Sequence, residues 1–548
     1  MTQTMILPAA VVHTMDPNHP QAEAVAVRDG WILALGTVDD LQAIDGATVD
    51  SRYADKVLLP GFVEAHSHGM AGAIWQHTYC GFFGRTDPVG RTWPGCTSVD
   101  EVIDRLRAAD AAIADPGEPL LAWGLDPIYF PGDRLVATHL DRVSTTRRIF
   151  VLHASAHLAT VNTVLMEAEG IGPDTLTEGV PKDAEGWPIG ELQEPAAMFL
   201  AGRTFRSFFG RLQADEGIRH LGDIASIAGV TTLTDLGTSA ITAEATISRW
   251  AGVVDDEAFP ARVSLFHNPR FAATGDMDEA AAEVAALCPR SSDKLRLGHV
   301  KLVLDGSIQG LTARLRHPGY LNNVPNGLWQ IPPEQVAGHL GAFHRAGLLV
   351  HAHCNGDEAV DVFLDAVEEV LAASPRLDHR HTVQHSQLTT PGQYRRIAAL
   401  GLCANVFSNH TFFWGDQHVS TTVGADRAAR MNSARTALDI GVPLSIHTDA
   451  PVTPLGSLHA AWCAVNRLTA GGRVLGPGER ISVYEALRAV TLGAAYQLKM
   501  DDEIGSLAPG KRADMVVLDA DPFDVDPVEL RDVPVAGTVL GGTHHPGG

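Results

Sequence analysis

His66 and His68 close the segment Gly61-Phe-Val-Glu-Ala-His-Ser-His-Gly69, directly after the apolar run Val57-Leu-Leu-Pro60. In a strand, residues two apart point to the same face. Two imidazoles aimed at one point are suited to sharing a divalent metal ion. An isolated His-x-His also occurs where each ring is merely hydrogen-bonded within a core, so the pair gains meaning from what else converges on it.

Other chemistry-bearing residues sit at the ends of apolar runs. Lys301 lies in Gly298-His-Val-Lys-Leu-Val-Leu-Asp-Gly306, His353 in Leu349-Val-His-Ala-His-Cys354, His385 in Thr382-Val-Gln-His385 and Asp449 in Leu444-Ser-Ile-His-Thr-Asp449. Four neutral imidazoles and a carboxylate at one mouth fit one or two borderline divalent ions, with zinc the expected metal. Each His taken singly is better read as structural; so many at equivalent strand ends are not. Lys301 is out of place in an apolar strand unless its charge is paired or removed. It is either buried against an acid such as Asp305 or carbamylated by carbon dioxide into an anionic ligand. His351 shares a face with His353 and competes for its role.

Eight apolar segments carry this edge, beginning near residues 61, 229, 261, 298, 347, 381, 401 and 441. Most are separated by helix-like stretches such as 357–374. Strands buried on both faces and alternating with helices predict a parallel sheet, and eight of them predict a distorted (β/α)8 TIM barrel, whose functional groups lie at the C-terminal strand ends. The first ~55 residues and the last ~50 are rich in short strands and turns, with Asp29-Gly30 as a hairpin signal. We expect a β-sandwich domain from both termini (1–58 with 497–548), the barrel (59–69 with 228–496), and an inserted α+β subdomain (70–227) over the active site.

Composition narrows the classes. The chain has 548 residues, 41 Lys and Arg against 65 Asp and Glu, and a net charge of −24, which argues against nucleic-acid partners. No segment reaches the ~18 apolar residues of a membrane helix, and the N-terminus lacks the basic and apolar regions of a signal peptide. The six cysteines form no CxxC pair or disulfide framework. A cytoplasmic protein with reduced thiols and a small-molecule substrate is the expectation.

Taken together, the motifs resemble the amidohydrolase superfamily, more closely its family 3, the YtcJ-like branch, over essentially the whole chain. The resemblance rests on LLPGFVEAHSHG, VKLVLDGSIQGLTA, HAHCNGDEAVD, VQHSQL, HTDAPVTPL and GSLAPGKRADMVVLDADP. It implies that His66, His68 and Asp449 hold the more buried metal, that His353 and His385 hold a second, and that Lys301, as N6-carboxylysine, bridges them. It also implies amide hydrolysis by metal-bound hydroxide, with Asp449 as the proton acceptor, and often a homodimer. In the insertion, GWPIGELQEPAAM and HASAHLATVN are similar to family elements and assign Glu194, His157 and Asn162 to substrate binding. Ser155 and Ala156 stand where the family has Asp-Gly, and Leu311 where it commonly has Arg, which points to a less polar substrate. Trp75, Phe82, Phe83, Phe412, Phe413 and Trp414 are candidate pocket aromatics, Trp414 foremost. An N-substituted amide or formamide with an apolar group fits. Ester or phosphotriester hydrolysis on the same site is the alternative, and a non-catalytic scaffold is the reading from another class.

Overall fold

The computed structural model describes residues 3–547 except 131, 133, 273 and 274. Its centre is an eight-stranded parallel sheet in chain order, formed by Phe62–Val63, Val230–Leu236, Arg262–His267, Leu295–Val303, Leu349–Cys354, Thr382–His385, Cys403–Val406 and Leu444–Ile446. These are barrel strands 1 to 8, and each of the eight expected segments supplies one. Parallel pairing runs from strand 1 through strand 8. The strands are buried along almost their whole length, which is why their sequences run apolar rather than alternating.

Strands 1 and 8 meet just beyond their ends. The Asp449 N–H donates to the His66 carbonyl at 3.0 Å, and the His68 N–H donates to the Ala450 carbonyl at 2.8 Å. Glu64 reinforces this seam. Its carboxylate accepts from the Thr448 hydroxyl at 2.6 Å and from the backbone N–H groups of Thr448 and His66 at 3.2 Å. The residues expected to bind metal are therefore held together by the closure itself.

Strand 4 carries one extra residue relative to strand 3, since Ser264 pairs with Arg296 but Phe266 pairs with His299. Gly298 takes φ +98° within this irregularity, a conformation that favours glycine. A one-residue insertion inverts which face later side chains occupy. Beyond it, Lys301 and Val303 both face the barrel mouth and line its cavity.

The terminal segments pair in one eight-stranded sheet. Met515–Leu518 lies antiparallel to Val57–Pro60, which runs parallel to Thr4–His13. Asp29 and Gly30 take φ of 55° and 80° at the hairpin between Gln21–Arg28 and Trp31–Gly36, as a tight primed turn requires. Between barrel strands 1 and 2, the strands Thr78–Tyr79, Leu120–Leu125, Ile149–His153, Leu158–Val161 and Glu191–Gln193 form a separate five-stranded sheet. It has its own apolar clusters around Trp123, Phe150 and Phe208 and around Val102, Leu106 and Ile149. Among the described residues, no helix is long and apolar enough to cross a membrane.

Candidate metal centre

His66, His68 and Asp449 converge at the strand 1–strand 8 seam. Asp449 Oδ1 lies 3.1 Å from His68 Nε2 and 3.4 Å from His66 Nε2. His66 is fixed from behind. Its Nδ1–H donates to Gln384 Oε1 at 2.6 Å, while Gln384 Nε2 donates to His351 Nδ1 at 2.8 Å. Asn405 Nδ2 supplies a second donor to the same Gln384 oxygen at 2.9 Å. The carboxamide sets the His66 tautomer and leaves the Nε2 lone pair facing the site. His351 thus stands behind the centre rather than in it.

A second group of potential ligands is formed by His66, His385 and His447, whose ligand atoms lie within 4.8 Å of one another. Neither ring nitrogen of His385 or of His447 has a hydrogen-bond partner, although all are buried, and Asp449 Oδ1 has none within hydrogen-bond geometry. Buried polar atoms in a folded protein are normally satisfied. Imidazole nitrogens and a carboxylate oxygen left unpartnered together are what a site for a divalent ion requires, and the donor set suits zinc. His385 and Asp449 also take φ of 70° and 56°, left-handed conformations that cluster at functional sites because the surroundings must hold them.

The sequence reading placed His353 with His385. His353 is next to it, with ring centroids 4.4 Å apart, and lines the same cavity. Its Nε2 lies 3.1 Å from the Gly306 carbonyl oxygen and 3.0 Å from Asn355 Nδ2; a bond from Nε2–H to that carbonyl leaves Nδ1 free for a metal, although His353 stands outside both converging groups. His447, which the sequence reading did not name, stands beside His66 and His385 as a further candidate ligand. Its signal was its position two residues before Asp449, the same spacing that links His66 to His68.

Lys301 is 2% exposed, and its Nζ donates to His66 Nε2 at 3.2 Å. No described carboxylate forms an ion pair with it. Asp305 is instead consumed by backbone N–H groups of Arg314, Asn355 and Gly356 at 2.9–3.0 Å. Burial pulls the Lys301 amine down to about 7, so much of it is neutral near physiological pH. Burial alone would raise the carboxyl of Asp449, but the His68 imidazole 3.1 Å away and the electrostatic influence of His447 and Lys301 hold it below the ordinary carboxylate range. It stays ionised.

The cavity over these groups has a volume of roughly 390 Å³, within the range of small-molecule sites. His157 lines it, and Glu194 sits behind, its Oε2 accepting from His157 Nδ1 at 2.8 Å and from Gln330 Nε2 at 2.5 Å. Burial opposes the charged imidazole, yet the Glu194 carboxylate raises the His157 pKa on balance. Two sequence assignments fall elsewhere. Asn162 is a helix N-cap, its Oδ1 accepting from the Leu165 N–H at 3.2 Å and from the Ile149 N–H at 3.0 Å. Trp414 lies one layer behind the cavity, its indole donating to Asp126 at 2.6 Å and its ring packed with Phe407 and Val452. Trp75, Phe82, Phe83, Phe412 and Phe413 also lie off the cavity wall. The wall's aromatics are Phe199, Phe205, Phe209 and Phe271, most of them on or just before the insertion helix Gly202–Arg211.

The insertion also grips the metal edge. Both Arg85 Nη atoms donate to the loop after Asp449, at 2.6 Å to the Pro451 carbonyl and 2.7 Å to that of Val452.

Comparison with known proteins identifies the family of the chain and relatives of its fold. The model of the amidohydrolase family matches residues 54–544. The N-substituted formamide deformylase of Arthrobacter pascens is 27% identical over 550 residues, covering 99% of this chain and 98% of that protein. LONG AFTER FAR-RED 3 of Arabidopsis thaliana is 27% identical over 534 residues, covering 95% and 88%. An uncharacterized metal-dependent hydrolase from Pyrococcus horikoshii superposes with a TM-score of 0.70 at 19% identity, covering 99% and 100%; it shares the fold.

Proposed function

This chain belongs to the amidohydrolase family, and we propose that it is a metal-dependent hydrolase cleaving the C–N bond of a small amide, with an N-substituted amide or formamide bearing an apolar group as the substrate class. The observation that carries the reading is the convergence of His66, His68 and Asp449 beside the unpartnered nitrogens of His385 and His447, on the floor of a largely apolar cavity. The relative named as a formamide deformylase, matched nearly end to end, supports the substrate class.

In this reading His66, His68 and Asp449 hold a zinc ion, His385 contributes to a second, and Lys301 joins them as N6-carboxylysine. A neutral amine is the form that reacts with carbon dioxide, and Lys301 is buried where that form is favoured. Bound zinc supplies a Lewis acid for the carbonyl and lowers the pKa of water toward ~7. The chain's own groups do the rest. Asp449, kept ionised, accepts a proton at Oδ2, the oxygen turned away from His66 and His68, and returns it to the departing nitrogen. His157, held by Glu194, stands on the cavity wall as a donor to the substrate carbonyl. Phe205 and Phe209 exclude water around an apolar amine.

The protein acts on small molecules in the cytoplasm, without nucleic acid or membrane, as a homodimer. The test is a panel of N-benzylformamide, N-benzylacetamide, phenyl acetate and a phosphotriester given to zinc-loaded enzyme. Preference for the amides supports the reading; turnover of the esters alone would replace it with the ester-hydrolase alternative.

A further inference from the structure

The protein carries a net charge of −24, yet the cavity over the metal centre has the opposite balance. Asp449 is the one acidic side chain on its described wall, against the guanidinium groups of Arg206 and Arg270. Among the described residues, neither Arg206 nor Arg270 forms an ion pair with a carboxylate, whereas most other arginines of the chain do. Arg270 has only the more distant charge of Asp235 to balance it, so two arginines with no carboxylate in direct contact stand on the wall of one cavity, open to an anion that enters from outside.

Their placement is specific. Arg270 follows barrel strand 3, at the same end as the metal residues. Asn268 Oδ1 accepts its backbone N–H at 3.1 Å, and its guanidinium reaches the Gly237 carbonyl at 3.4 Å and lies 4.8 Å from the Phe271 ring centre. Gly237 in turn is pressed against the centre, since a Cβ there would come within 3.3 Å of the Lys301 Cβ. Arg206 comes from the insertion helix, in the stripe formed with Phe205, Phe209 and Gly210. Positions i, i+3 and i+4 share a helix face, so the aromatic wall and the arginine arrive together.

We propose that Arg270, assisted by Arg206, is an anion-binding subsite of the cavity, and that the preferred substrate is an amide carrying a carboxylate separated from the scissile bond by an apolar or aromatic segment. This rests on the amide-hydrolase reading above and adds a charged end to its substrate. A guanidinium pairs a carboxylate through two parallel N–H donors, which a lysine cannot reproduce. The sequence pointed to a less polar substrate because Leu311 replaces a family arginine; the cavity draws its cations from Arg270 and Arg206 instead.

The test compares N-benzylformamide with its 4-carboxy derivative, which differ in one carboxylate. We expect the wild type to favour the carboxylate in kcat/KM by at least about tenfold. The ratio should fall to near one in Arg270→Ala, fall partly in Arg206→Ala, and be partly rescued in Arg270→Lys. A wild-type ratio near one, or a ratio unchanged by Arg270→Ala, would overturn the subsite. Binding of 4-methylbenzoate, measured by calorimetry on metal-loaded and chelator-treated protein, gives a readout independent of turnover. Weakening of about tenfold or more in Arg270→Ala supports the subsite even if neither formamide is hydrolysed, an outcome that would count against the hydrolase reading alone. Failure of the wild type to bind it would contradict the subsite.

Discussion

Gln384 holds His66 and His351 with one carboxamide, its oxygen 2.6 Å from His66 Nδ1 and its nitrogen 2.8 Å from His351 Nδ1. The side chain binds no metal in the proposed arrangement, but it decides which nitrogen of His66 is free to do so. Replacing it with Leu keeps the volume and removes both bonds. Outer partners of this kind typically contribute about 10–100-fold to metal affinity, so Gln384→Leu should weaken zinc binding by about that factor in chelator competition, with circular dichroism unchanged. Affinity equal to wild type would show that the His66 tautomer is set elsewhere.

His447 and His353 make opposite predictions about the second set of ligands. His447 has two unpartnered nitrogens converging with those of His66 and His385, while His353 lies beside His385 but outside that group. His447→Phe should therefore lower the number of ions retained per chain after dialysis against weak chelator, more than His353→Asn does. The reverse order would return the ligand role to His353, where the sequence motifs placed it.

Lys301 makes the metal-free protein pH-sensitive in a defined direction. Its amine falls from 10.5 in the unfolded chain to about 7 when folded, so between these values the unfolded state binds the extra proton and stability rises with pH. The penalty for burying the lysine is greatest at pH 7 and below and fades toward pH 10. In carbon-dioxide-free buffer without metal, Lys301→Met should melt above wild type at pH 7, and the gap should close as pH rises. A gap that is constant from pH 6 to 10 would mean the amine is not desolvated.

Asn162 caps a helix and ties it to strand Ile149–His153. Loss of such a cap costs about 1–2 kcal/mol. Asn162→Ala should lower the melting temperature by about 1–2 °C and leave KM for any amide substrate within twofold of wild type. A large rise in KM with an unchanged melting temperature would restore it to the substrate site.

The barrel was legible because its strands are buried on both faces and so read as apolar runs. The convergence of His66, His68 and Asp449 was legible because His-x-His on strand 1 and the Asp after strand 8 lie at strand ends, where the fold itself sets the direction. What lay beyond reading is depth. Asn162 and Trp414 occur in segments that do approach the cavity, but sequence proximity does not say whether a side chain stands in the first layer or the next. Phe205 and Phe209 were invisible for the same reason, since only the packing of the insertion brings Gly202–Arg211 to the mouth. His447 was overlooked although its spacing from Asp449 repeated that of the opening pair.

The central claim is that His66, His68, Lys301 and Asp449 form one hydrolytic metal centre. Zinc content per chain, measured together with N-benzylformamide hydrolysis in wild type, Lys301→Ala and Asp449→Ala, tests it most directly. The account predicts up to two ions in wild type, one or fewer in each variant, and loss of hydrolysis in step with the metal. Variants that keep both the wild-type metal content and the wild-type rate would contradict it.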